Sequence, residues 1–214
     1  SSQHRISRTN GRDAVLTPAQ IAHFTTFGFV ILRRIFSATE MTEITCEANQ
    51  IWQEDRESQP QERPYQILFP FVERRPRLAE LADDDRIYLP IEDLLGTDFV
   101  WGGSEGHKGS FTEHGLLQWH SDRPDDEGVE YVRVKVMIYL DETRANHGCL
   151  RVLPGSHRDP YHTALEPLLA QDAGVAERTL GVSGEQVPGV FVEATPGDVL
   201  FFNHTLWHGV FHSF

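Results

Sequence analysis

Beyond Gly96 the chain breaks into short apolar or alternating runs, at 98–102, 116–121, 131–140, 149–153, 189–193 and 198–203. Between them lie turn-forming stretches such as "DRPDDEG", "RANHG", "LPGSH" and "TPGD". Runs this short, rich in β-branched and aromatic residues and closed by Gly, Pro, Asn and Asp, are strands rather than helices. Strands at this spacing predict a sandwich or jelly roll. One helical insert, "TALEPLLAQ" at 163–171, and a Gly-rich loop at 181–189 interrupt the pattern.

Ahead of Gly96 the signals are mainly helical. Thr17-Pro18-Ala19-Gln20 is a capping box with Pro at the first helical position, and it opens a helix running to about Phe27, where Gly28 can end it. "FVILRRIF" follows as a strand. Ser37-Ala38-Thr39-Glu40 is a second capping box, for a helix through about Glu54, and shorter helical pieces are expected near 76–83 and 90–95. The expected plan is a flexible polar tail at 1–16, then one domain at 17–214. That domain has a helical layer over about 17–96 and a β core over about 97–214.

Nineteen Lys and Arg against 32 Asp and Glu give a formal net charge of −13. Such a field repels phosphate backbones and anionic lipid, which disfavours nucleic-acid and membrane-surface roles and leaves small molecules as the expected partners. The two cysteines, Cys46 and Cys149, form no C-x-x-C, so a disulfide framework or thiolate zinc site is not expected and a reducing cytosol suits the chain. No apolar stretch approaches a membrane span, and "SSQHRISRTNGRDAV" lacks the apolar centre of a signal peptide. The expected location is cytoplasmic.

Eleven histidines are present, and one pair stands out. In "LLQWHSD", His120 and Asp122 follow an apolar run, and in a strand residues i and i+2 point to one side. An imidazole and a carboxylate can then converge on one ion, and iron(II) in oxygenases takes two histidines and one carboxylate on one face of its octahedron. His157-Arg158-Asp159 repeats the H-x-D spacing in a turn, before Pro160, where it reads as structural. A third ligand can come from "GDVLFFNHTLWHGVFHSF": His204, His208 and His212 are spaced by four and would share a face if the segment were one strand. Spacing does not choose among them.

These segments together resemble the phytanoyl-CoA dioxygenase family of iron(II)- and 2-oxoglutarate-dependent oxygenases. The resemblance runs from "LTPAQIAHFTTFGFVILRRIF" through "WHSD" and "VMIYLDETRANHGCLRVLPGSH" to "PGDVLFFNHTLWHG". It implies a mainly β fold with α: a double-stranded β-helix (jelly-roll, cupin-like) core with N-terminal helices packed on it. It also implies a metal triad of His120, Asp122 and His208, since the family places its distal histidine about ten residues after a Gly-Asp pair, here Gly197-Asp198. The implied cofactor is Fe(II), and the implied co-substrates are 2-oxoglutarate and O2. The implied reaction is hydroxylation of a small molecule, with succinate and CO2 formed. Halogenating relatives of such enzymes lack the carboxylate; Asp122 keeps it, which favours oxygen insertion or a related oxidation.

One family feature falls outside the sequence. The arginine that grips the far carboxylate of 2-oxoglutarate typically lies about ten residues beyond the distal histidine, whereas Phe214 is six residues after His208. In "YVRVKVMIYL" the alternation assigns Val132, Val134, Val136, Ile138 and Leu140 to a packing face and Arg133, Lys135, Met137 and Tyr139 to the other. The corresponding family strand turns its alternate residues to the co-substrate pocket, so Lys135, Arg133 and Met137 become candidates there, with Gln118 on the strand leading to His120. Trp101, Phe111, Trp119 and Trp207 are weaker candidates for a substrate cavity. The competing readings are a cupin-like metal-dependent isomerase or hydrolase on the same ligands, and a non-catalytic binding protein of the same fold.

Overall fold

The structure, a computed structural model, describes residues 13–58, 65–109, 119–122, 131–169 and 173–211. Helix α1 (Pro18–Phe27), strand β1 (Phe29–Leu32) and helix α2 (Ala38–Ser58) open the chain. Then come β2 (Tyr65–Leu68), α3 (Pro76–Ala79), α4 (Asp85–Leu95) and β3 (Gly106–Gly109). The second half contains β4 (Val134–Ile138), β5 (Leu150–Val152), α5 (Tyr161–Ala164), α6 (Ala173–Leu180), β6 (Val190–Val192), β7 (Val199–Asn203) and β8 (His208–Val210). The result is a mixed α/β fold of N-terminal helices and antiparallel sheets, and among the described residues no sheet closes into a barrel. The chain divides into two compact units, one made of Ser1–Ala22 and Ile35–Gly109, the other of His23–Arg34 and Ser110–Phe214.

In the first unit both capping boxes form as the sequence dictates. The Thr17 amide donates to Gln20 Oε1 at 2.8 Å while Gln20 N–H donates to Thr17 Oγ1 at 3.2 Å. Ser37 and Glu40 repeat the exchange, and α2 runs on past the expected Glu54 to Ser58, burying Met41, Ile44, Ala48, Ile51 and Trp52 along one stripe. The amides of Val15 and Leu16 donate to Asp93 Oδ2, and Leu16 is buried. Helix α4 starts five residues before the expected position 90, because Asp84 caps it by accepting from the Arg86 amide; the helix then tolerates Pro90 in its interior.

The strand expected at 98–102 is absent. Val100 and Trp101 are exposed there, and the Trp101 indole donates to Glu73. The pairing segment is instead 106–109, joined to β2. Glycine opens that strand where a Cβ would sit 2.4 Å from the Phe71 ring, so the apolar pattern gave no sign of it.

In the second unit, β7 lies between β1 and β4, and β5 lies between β6 and β8, all antiparallel. Phe29, Leu200, Phe202 and Tyr139 from the first sheet meet Leu150, Val152 and Val192 from the second in one apolar cluster. The other side of β7, Val199 and Phe201, is also fully buried, which is why its sequence reads as an unbroken apolar run. The segment "FVILRRIF" is strand only to Leu32. Asp198 captures the chain there, accepting from the Arg33 guanidinium and from the amide of Arg34, whose φ is +50°.

The alternation in "YVRVKVMIYL" assigns one face to packing, whereas both are covered: Val136 and Ile138 register opposite the buried Phe201 and Val199. Met137 packs on the shared cluster and Tyr139 lies within it, whereas Val132 is exposed. Lys135 and Met137 register opposite Phe202 and Leu200, two cluster residues, so the side carrying the lysine is the inner one. The helical insert also differs. It comprises α5 and a short 3-10 turn at Glu166–Leu169, and α6 is a further helix between the expected insert and the Gly-rich loop, where the sequence pattern assigns no element.

Gly28 ends α1 at φ +86°, and a Cβ there would lie 2.6 Å from His157 Nδ1. Gly28→Ala is therefore expected to destabilise the protein by about 2–3 kcal/mol, combining left-handed strain with displacement of a packed ring. Thermal melts of the two proteins measure it.

The same histidine makes stability sensitive to pH. Burial, followed by the nearby Arg158, holds the His157 imidazole below its ordinary value. The unfolded chain takes up this proton near pH ~6.5 and the folded chain only at lower pH. His157 thus contributes stability in full above that point, and the contribution is lost as pH falls toward the depressed folded value. Urea midpoints between pH 7.5 and 5 should fall less in His157→Asn than in the parent. Equal slopes would reject the assignment.

Candidate metal centre

Strand β7 ends at Asn203, and the chain turns before β8 begins, with the Leu206 amide donating to Asn203 O at 2.9 Å and the Thr205 amide to Asn203 Oδ1 at 3.0 Å. His204 and His208 therefore do not share one strand, so the condition under which their spacing would put them on one face is not met. His204 sits in the turn, where its Nδ1 lies 3.2 Å from both the amide nitrogen and the carbonyl oxygen of Arg133. His208 opens β8.

Segment 119–122 is delivered to that turn by backbone bonds rather than as a full strand. The His120 amide donates to His208 O and the His208 amide to His120 O, both at 2.9 Å, while the Asp122 amide donates to His204 O at 2.9 Å. This reciprocal antiparallel pair sets His120 directly opposite His208. Their ring centroids are 4.3 Å apart. One ligand atom from each of His120, Asp122 and His208 lies within 4.8 Å of the others, the closeness that a shared ion requires.

The protonation of the cluster suits that use. His208 Nδ1 is 2.7 Å from Leu206 O, a carbonyl that can only accept, so this nitrogen carries the hydrogen. Nε2 is left with its lone pair, 3.5 Å from Asp122 Oδ2. Burial, and after it the adjacent His120, lowers the His208 pKa to about 4, so the ring is neutral at physiological pH. A ligating histidine whose far nitrogen is fixed on a carbonyl is the usual arrangement in metal sites. Two imidazoles and one carboxylate are also the donor set that Fe(II) takes in oxygenases, with positions left open. The residues present fit the ion.

Around the cluster the packing is dense. The Phe202 ring meets His208 edge-on at 5.0 Å. Trp119, next to His120 in sequence, is buried with its indole N–H donating to Gly184 O at 2.7 Å and the Arg151 guanidinium over its ring at 5.1 Å. Trp119 and Trp207 thus belong to a packed apolar cluster with Leu153, Leu165, Leu168 and Val187 instead of lining a cavity. The second H-x-D is structural: Asp159 Oδ1 accepts from the amide and hydroxyl of Thr163 on α5, and His157 packs at Gly28.

Of the co-substrate candidates, Lys135 reaches the cluster, with Nζ 3.0 Å from Asp122 Oδ2. Met137 makes apolar contact with the core. The Arg133 guanidinium lies over the Tyr131 ring at 4.5 Å and bonds its hydroxyl, so it is not part of the cluster. Gln118, Phe111 and His212 lie outside the described residues. Sequence reading missed the backbone anchors at His204 and Leu206, and it missed Phe202 as a neighbour of His208. Main-chain carbonyls leave no signature in residue type, and Phe202 read only as core.

Antiparallel sheets with N-terminal helices, and two imidazoles and a carboxylate gathered at one point, define a fold and catalytic site of the Fe(II)/2-oxoglutarate-dependent oxygenase type. The site is that of a dioxygenase, an oxidoreductase. The chain belongs to the phytanoyl-CoA dioxygenase (PhyH) family, which matches it over residues 24–212. It is 28% identical over 218 residues to the ectoine dioxygenase of Sphingopyxis alaskensis, covering 92% of this chain and 71% of that protein. Among solved structures it is similar to EctD from S. alaskensis with 2-oxoglutarate and 5-hydroxyectoine. That likeness has a TM-score of 0.70 and 25% identity over 97% of this chain and 74% of the other. HygX from Streptomyces hygroscopicus with nickel and 2-oxoglutarate bound shares the fold, with a TM-score of 0.69 and 23% identity over 94% of this chain and 82% of that one.

Proposed function

We propose that this protein hydroxylates a small-molecule metabolite, with His120, Asp122 and His208 holding Fe(II). The observation that carries the proposal is the convergence of those three ligand atoms within 4.8 Å, with the His208 tautomer fixed for coordination. The ion, with 2-oxoglutarate and O2, supplies the oxidising power: one oxygen atom enters the substrate as hydroxyl, and the other enters the succinate formed as CO2 leaves. The protein's own residues orient and enclose. Phe202 keeps the His208 imidazole packed, which limits water on that side of the metal. Lys135 offers a cation for the far carboxylate of 2-oxoglutarate, with Gln118 and Met137 as further lining of that pocket, while Arg133 is held on Tyr131.

Several related readings belong to this proposal. The two sheets of the second unit are halves of a double-stranded β-helix, supported by the apolar cluster they share. Residues 17–214 act as one oxygenase domain, and the segment expected as a tail at 1–16 is instead anchored at its end, where the amides of Val15 and Leu16 donate to Asp93 and Leu16 is buried. A cytoplasmic location is supported by the two free cysteines, and no helix among the described residues is long and apolar enough to cross a membrane. The relatives support a small molecule as substrate, since one is an ectoine dioxygenase and EctD holds 5-hydroxyectoine.

The test is succinate formation by purified protein supplied with Fe(II), ascorbate, 2-oxoglutarate and oxygen. Slow substrate-independent turnover that requires both the ion and oxygen is the expected result. Metal-dependent chemistry without oxygen would favour the isomerase or hydrolase reading. Metal binding with no uptake of 2-oxoglutarate would favour a binding protein.

A further inference from the structure

The chain carries 17 arginines and only two lysines, Lys108 and Lys135. Lys108 Nζ rests on Asn49 Oδ1 at 2.9 Å. Lys135 instead donates to Asp122 Oδ2 at 3.0 Å, the same oxygen that lies 3.5 Å from His208 Nε2. One carboxylate oxygen thus receives a fixed cation from one side and faces the metal-binding imidazole on the other. A divalent ion held by this oxygen and Nε2 would lie within a few ångströms of the ammonium, and two positive groups at that separation repel strongly at the partly screened dielectric of a site about one-third exposed. Lys135 has a four-carbon stem and a compact head, so it can leave the carboxylate without moving β4.

We propose that Lys135 is a positioning residue that couples the two binding events: it competes with the metal for Asp122 and is released to the dianionic 2-oxoglutarate. The inference rests on the oxygenase reading above and adds an order to it. The metal binds weakly until a dianion arrives to take the ammonium, and the dianion in turn binds better to the metal-loaded protein. By linkage the two enhancements are equal.

Cobalt(II), followed by its visible absorbance, serves as the probe with the full chain, alone and with saturating 2-oxoglutarate. In Lys135→Met, Co(II) alone should bind about tenfold tighter than in the parent, since a like charge beside the ion is gone. The tightening of Co(II) by 2-oxoglutarate should be about tenfold smaller than in the parent, and Lys135→Arg should track the parent. Equal or weaker Co(II) binding by Lys135→Met, or an unchanged effect of 2-oxoglutarate, overturns the coupling while leaving the metal site intact. Absence of Co(II) binding by the parent overturns the oxygenase reading as well.

A second measurement needs no variant. Acetylation of Lys135 relative to Lys108, read by mass spectrometry on the parent protein, should rise with Co(II) alone and fall when 2-oxoglutarate is added. A ratio indifferent to both rejects the proposal.

Discussion

Asp122→Ala should bind Co(II) more than about 100-fold more weakly than the parent and form no measurable succinate. Loss of a partner one shell removed from a metal already costs up to about 100-fold, and Asp122 is the sole carboxylate in the cluster among the described residues. Two imidazoles would remain, 4.3 Å apart and held by their own backbone bonds, so the fold need not change. That separation of effects is the point of the variant. The amide of Asp122, which donates to His204 O, is retained in alanine, and circular dichroism and melting temperature should stay close to those of the parent. If Asp122→Ala turns over 2-oxoglutarate at the parent's rate, the assignment of this residue to the metal is wrong.

Phe202→Ala should have the largest effect on stability. The ring is 1% exposed, registers between Phe29 and Lys135 in the centre of the first sheet, and abuts His208. Truncating a phenylalanine at such a site costs about 3–5 kcal/mol, from lost burial and from the cavity left behind. For a domain of this size that corresponds to a melting temperature lower by about 10 °C. Because the same ring braces a ligand imidazole, Co(II) affinity should fall as well. Metal affinity preserved in a protein destabilised by the expected amount would show that His208 is positioned by its backbone pair and Leu206 alone.

The parts of this protein legible in its sequence are those where residue type itself carries the instruction. Both capping boxes, the turn at Gly28 and the fully apolar β7 announce themselves, because side-chain oxygens, a missing Cβ and a buried strand each leave a local mark. His120 and Asp122 were recognisable as a pair, yet the reason for their convergence was not. A strand was expected to aim them, whereas a single reciprocal bridge to His208 and one bond to His204 do so. The spacing of His204 and His208 could not choose between them for the same cause, since a turn placed by Asn203 changes which way each ring points. In β4 the valines alternate as convincingly as any packing face. The sheet nevertheless turns Met137 and Tyr139 inward, and long-range register decides that. Strands β2 and β3 escaped notice because glycine bounds the second of them and supplies no apolar pattern.

The mutual amide bonds between His120 and His208 have a consequence for the breathing of the protein. Both imidazoles hang from one rung, so opening that rung carries the two rings apart. Deuterium uptake at these two peptide nitrogens therefore gauges how often the pair falls out of register.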